Sequence, residues 1–116
     1  MTTLYGIPNC GSVKAARKWL AVNNIAYDFH DYKKLGIERS RLAAWAKAVG
    51  WEPLLNKRGT TFRRLDDADK ADLNEKKALD LLVAHLSMIK RPIIEHGSGV
   101  IVGFDENEWR AAELSD

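Results

Sequence analysis

Cys10 is the only cysteine of the 116-residue chain, and it stands in a short polar stretch, Asn9-Cys10-Gly11-Ser12. An apolar alternation precedes that stretch and a run of helical spacing follows it. A thiol in this setting is a candidate nucleophile. At the start of a helix, backbone N–H groups converge and the helix dipole is positive, and both favour a thiolate. Lys14 falls within the first turn and could add a positive charge. Gly11 leaves the sulfur uncrowded, and Ser12 can cap the helix or donate to the thiolate. Asn9 can donate to a substrate or simply shape the turn. The competing reading makes Cys10 an inert hydrophobe, the usual state of a free cysteine. A glycine-flanked polar junction is a poor place to bury one.

The elements that would hold this thiol follow from periodicity. Thr-Leu-Tyr-Gly-Ile alternates and ends at Pro8, which predicts a first strand over about residues 2–7. From Ser12 onward Val13, Ala16, Trp19 and Leu20 recur at helical spacing, with Lys14, Arg17 and Lys18 on the other side. Ile25, Tyr27 and Phe29 then alternate in a second strand, so the first third of the chain predicts a βαβ unit with parallel strands. The middle reads as helical. Leu42, Trp45, Ala46 and Val49 form a stripe after Ser40, a candidate N-cap, and stop at Gly50. Pro53 opens a short helical turn, followed by a loop with Arg58 and Gly59. Leu79, Leu82, Val83 and Leu86 mark one face of a later helix that ends before Arg91-Pro92. Two apolar runs flanking His96-Gly97-Ser98-Gly99 predict a hairpin with a four-residue connection, and Asp105 caps a closing helix. The order βαβ, helices, ββα implies an α/β fold on a mixed, four-stranded sheet. One domain, residues 1–116, is expected, with about residues 38–88 a helical subdomain inserted in it.

Composition narrows the function classes. A formal charge of +2 is too small to argue for nucleic-acid binding. Charge is local instead, with four cations over residues 57–64 and four acids over 66–72, a pattern that also fits solvated faces. No apolar run approaches the roughly 18 residues a membrane span requires, and the N-terminus lacks a secretory pattern. A cytoplasmic, monomeric protein without a bound cofactor is expected. His30, His85 and His96 have no metal-ligand spacing, so no metal site is expected, and no acyl-transfer pattern accompanies Cys10. Trp19, Trp45, Trp51 and Trp109 lie on apolar faces or at helix starts, as core residues do.

The stretches Tyr-Gly-Ile-Pro-Asn-Cys-Gly-Ser, Leu-Leu-Asn-Lys-Arg-Gly-Thr, Lys-Arg-Pro-Ile-Ile and Val-Gly-Phe-Asp-Glu-Asn-Glu-Trp occur in this order across the chain. Together they resemble the arsenate reductase (ArsC) family of thioredoxin-like proteins, especially its small YffB-like members, and near the C-terminus the Spx regulators. The resemblance implies a thioredoxin-like fold with Cys10 as the nucleophile and Arg58 and Arg91 as anion-binding cations. Arginine suits that task, since its fork holds an oxyanion or carboxylate by paired hydrogen bonds. Each cation also has a plainer reading, Arg58 as an exposed loop residue and Arg91 as a helix C-terminal charge. Pro92 falls where such folds set a cis-proline beside the cysteine. Gly50 matches a glycine that Spx proteins use against RNA polymerase, although it also reads as a helix terminator.

Two departures bear on activity. Val13 stands where thioredoxin-type motifs carry a second cysteine, so a mixed disulfide on Cys10 would need an external thiol, with glutathione the natural co-substrate. Gly103-Phe104-Asp105-Glu106 stands where glutathione-dependent arsenate reductases supply another arginine. The leading expectation is a glutathione-dependent thiol reductase acting on a small or protein disulfide. The alternatives are a glutathione- and glutaredoxin-coupled arsenate reductase, and an Spx-like regulator that binds the RNA polymerase α subunit.

Overall fold

The computed structural model describes residues 2–97, 99–112 and 114. In chain order its elements are β1 (Thr3–Gly6), α1 (Gly11–Val22), β2 (Asp28–Asp31), α2 (Tyr32–Leu35), α3 (Arg39–Val49), α4 (Thr60–Arg63), α5 (Asp67–Lys70), α6 (Glu75–Ala84), β3 (Ile93–His96), β4 (Gly99–Val102) and α7 (Glu106–Ala111). Short 3-10 turns add Glu52–Leu54 and Leu86–Met88. The strands form one four-stranded sheet in the order β2-β1-β3-β4. Its β1–β2 pair is parallel, and its other pairs are antiparallel. This is the mixed α/β sheet expected of a thioredoxin-like fold.

The chain divides into two compact units, Met1–Leu35 with Arg91–Asp116, and Gly36–Lys90. The first holds the sheet. Leu4 and Ile94 share a core with Ala16, Trp19 and Leu20 of α1 and Trp109 of α7, and Phe29 and Ile101 pack against it. Leu4 pairs with Phe29 and with Ile94, and Ile94 pairs with Ile101, so the four lie on one face of the sheet, which the stripe of α1 that the sequence predicts helps to bury. Trp109 is fully buried and satisfies its indole N–H on the Gly103 carbonyl at 3.0 Å. Its ring meets Phe104 edge-on, with centroids 4.8 Å apart. Asp105 caps α7 by accepting the Glu108 N–H at 2.9 Å. At the strand end, Gly6 permits a close approach of α1. A Cβ there would lie 2.7 Å from Val13 Cγ2.

The second unit is helical. Leu42, Trp45 and Ala46 of α3 are buried, as are Ala78, Leu79 and Leu82 of α6, and the two helices are in contact. Arg39 of α3 forms an ion pair with Asp80 of α6. Leu55 and Ile89 form an isolated antiparallel bridge, and Asn56 N–H donates to the Met88 carbonyl at 2.8 Å.

Several boundaries differ from the sequence expectations. Ser12 and Ser40 lie inside the first turns of their helices, because the backbone leaves the extended region earlier, at Cys10 and at Glu38. Val83 is 43% exposed rather than part of the buried face of α6, which Ala78, Leu79 and Leu82 form. His96 pairs with Gly99 in the hairpin ladder rather than belonging to an open four-residue connection. Ser98 of that connection lies outside the described residues. The four-residue helices α2, α4 and α5 are too short to leave a periodic signal. Trp51 is half-exposed, whereas Trp19, Trp45 and Trp109 are buried. Among the described residues no helix is long and apolar enough to cross a membrane.

Candidate active site

Strand register decides what surrounds Cys10. Gly6 pairs with Asp31, so the parallel strands β1 and β2 finish side by side. Tyr5 pairs with Ile93, so the antiparallel strand β3 begins where β1 finishes. Three segments therefore converge at one end of the sheet: the turn leaving β1, the turn leaving β2, and Arg91-Pro92 entering β3. Pro8 and Asn9 occupy the centre of a β-turn in which the Cys10 N–H donates to the Ile7 carbonyl at 3.2 Å. That turn delivers Cys10 to the N-cap position of α1, with φ −90° and ψ 129°.

Cys10 is partly exposed and is a free thiol. Burial alone would raise its pKa. The Val13 N–H, the Arg91 side chain, the Ser12 N–H and the Arg91 charge act in the other direction and hold it below the ordinary thiol value. Both N–H groups belong to the first turn of α1, where unpaired donors and the helix dipole favour the charged form of the sulfur. The chemical result is a thiol at a helix start, partly open to solvent, whose ionised form is favoured by a guanidinium and by backbone N–H groups. Such a group attacks disulfide sulfur or another soft electrophile.

Arg91 is half-buried. Burial would lower its pKa, but hydrogen bonds to Cys10 and to Tyr32 and the Cys10 charge raise it, so it stays a cation. The Arg91-Pro92 peptide is cis, Pro92 is buried, and its carbonyl accepts the Gly103 N–H at 2.7 Å.

The remaining sequence candidates separate. Ser12 contributes its backbone N–H to the site, not a cap. A Cβ on Gly11 would meet nothing within 4 Å, so the approach to the loop is open there. Asn9 is exposed at the centre of the turn. Lys14 is exposed on α1 and its backbone N–H bonds the Cys10 carbonyl at 3.0 Å. Arg91 is thus the cation that bonds the sulfur, where the sequence also offered Lys14. Arg58 belongs to the Gly36–Lys90 unit, is exposed, and directs its backbone N–H to Asn56 Oδ1 at 3.2 Å. Gly50 is exposed and ends α3 at φ 89°. Among the described residues no cluster of histidine, cysteine, aspartate or glutamate could hold a metal ion.

Tyr32 is the site residue that periodicity does not reveal. It is fully buried and its phenol hydrogen-bonds Arg91. Its position becomes visible only once β1 and β2 are known to pair in parallel and end together.

Comparison with known proteins agrees with this architecture. The ArsC family model matches residues 5–112. A solved structure of a protein called YffB is 51% identical, covers 97% of this chain and 98% of its own, and superposes with a TM-score of 0.94. The solution structure of an arsenate reductase (ArsC) related protein from Brucella melitensis is 43% identical, covers 95% and 92% respectively, and has a TM-score of 0.77. The global transcriptional regulator Spx of Streptococcus pyogenes is 30% identical over 96% of this chain and 84% of its own.

Proposed function

The chain belongs to the ArsC family, and from that premise we propose that it is a glutathione-dependent thiol reductase with Cys10 as its single nucleophile. The observation that carries the proposal is the hydrogen bond between Arg91 and the Cys10 sulfur at the N-terminus of the twelve-residue helix α1. The Cys10 thiolate attacks one sulfur of a disulfide, forming a new S–S bond and expelling the other sulfur as a thiolate, which takes a proton from solvent. The thiolate of glutathione then attacks the substrate-derived sulfur of this mixed disulfide and returns Cys10 as a thiolate, forming oxidised glutathione where that sulfur is glutathione's own and a substrate–glutathione disulfide otherwise. Val13, at the position of a resolving cysteine, makes this external thiol necessary. Once Cys10 is in a disulfide its negative charge is gone, and Arg91 can receive a carboxylate of glutathione or of the substrate.

Mass spectrometry of the folded protein with oxidised glutathione tests the proposal. The expected result is one glutathione per chain, removed by reduced glutathione, and none on Cys10→Ser. No adduct on the folded wild type overturns it. Arsenite formation from arsenate, assayed with glutathione and glutaredoxin, tests the arsenate alternative, against which Asp105 and Glu106 argue by their charge. A second reading, a regulator that binds the RNA polymerase α subunit, is supported by the 30% identity to Spx. Retention on the immobilised C-terminal domain of that subunit at micromolar concentration would favour it.

A further inference from the structure

We propose that Tyr32 is a positioning residue that holds the Arg91 guanidinium against Cys10, an inference that rests on the thiol chemistry proposed above. Tyr32 opens α2 directly after Asp31, the residue paired with Gly6 at the shared end of the parallel strands. Asp31 fixes that turn. Its Oδ1 accepts the N–H of Lys33 at 3.1 Å and of Lys34 at 3.3 Å, so the carboxylate caps α2 and sets the direction in which Tyr32 leaves the backbone. The side chain is fully buried, with 0% exposure. Its phenol oxygen accepts from Arg91, which also hydrogen-bonds the Cys10 sulfur.

A guanidinium has its donors in a rigid plane, so two partners restrict its position and rotation more than one partner does. A cation fixed by one partner alone would have to be ordered again whenever the sulfur changes state. Tyr32 supplies the second partner without adding a charge. Burial first, then the nearby Cys10 and Asp31, against the opposing effect of Arg91, push its pKa up to about 12, so the phenol stays neutral at physiological pH. It therefore does not compete with the thiolate for the positive charge of Arg91. When Cys10 enters a mixed disulfide and releases the guanidinium, Tyr32 still holds Arg91 in place for an anionic group.

The pH dependence of Cys10 alkylation by iodoacetamide, measured on wild type and Tyr32→Phe, tests this. The expected outcome is an upward shift of the midpoint in the variant, equivalent to a thiolate fraction on the order of three- to tenfold smaller at neutral pH. In an Arg91→Gln background the same substitution is expected to add nothing, which a merely structural role for the phenol would not produce. An unchanged or lowered midpoint in folded Tyr32→Phe overturns the inference while leaving the proposed function standing. A wild-type midpoint at the ordinary thiol value overturns the proposed function itself. Should Tyr32→Phe fail to fold, nitrogen-15 NMR of the wild-type Arg91 side chain decides. Hindered guanidinium rotation is expected, and free rotation overturns the inference.

Discussion

Arg91 and Arg58 stand in sequence stretches that look alike, Lys90-Arg91-Pro92 and Lys57-Arg58-Gly59, yet their surroundings differ. Arg91 is half-buried and hydrogen-bonded to two side chains far from it in sequence, Cys10 and Tyr32. Arg58 is exposed, and its backbone bonds to a residue two positions away. The difference comes from what each loop joins. Residue 91 enters β3, whose register with β1 brings it to the end of the sheet where α1 also begins. Residue 58 links a 3-10 turn to the four-residue helix α4. Arg91 owes its place beside Cys10 to long-range strand pairing, which fixes its backbone, and to the buried Tyr32, which bonds its head group.

The comparison can be broken by substitution. The largest effect is expected for Arg91→Gln, which keeps the length and a hydrogen-bonding end but removes the charge. A hydrogen bond to a charged group contributes roughly 1.5–3 kcal/mol, so the Cys10 alkylation midpoint should rise by about one to two pH units. Alkylation rates from pH 5 to 10 read this directly. A much smaller effect on the thiol is expected for Arg58→Ala, whose alkylation profile should superimpose on that of the wild type. If its KM for a carboxylate-bearing disulfide rises severalfold while the profile stays fixed, Arg58 has the substrate-holding role that the family resemblance implies. If the profile moves as far as in Arg91→Gln, the distinction between the two arginines fails.

The Cys10 loop was readable in the sequence because its determinants are local. Pro8 fits the second position of a β-turn, and the stripe Val13, Ala16, Trp19, Leu20 announces the helix that begins beside the thiol. The mixed, four-stranded sheet follows from the βαβ and ββα patterns, which leave few topologies open, whereas the strand order β2-β1-β3-β4 comes from the structure. Arg91 was suggested by resemblance to a family, but its contact with Cys10 depends on strand register, which a list of residue types does not encode. Tyr32 was hidden for the same reason. In Phe-His-Asp-Tyr-Lys-Lys it reads as the end of a strand, and only the pairing of Gly6 with Asp31 places it beside the cysteine loop. The misplaced caps at Ser12 and Ser40 have a different cause. Capping follows the residue where the backbone turns from extended to helical, and the sequence does not mark that within a residue or two.

The central claim is that Cys10 is an activated thiolate. Iodoacetamide alkylation of the folded wild-type protein as a function of pH measures it without reference to any substrate. Since folding favours the ionised form, the rate should pass its midpoint below about 8.5, the value of an unperturbed thiol, and the unfolded protein should return to that value. A midpoint at or above about 8.5 in the folded protein would contradict the account.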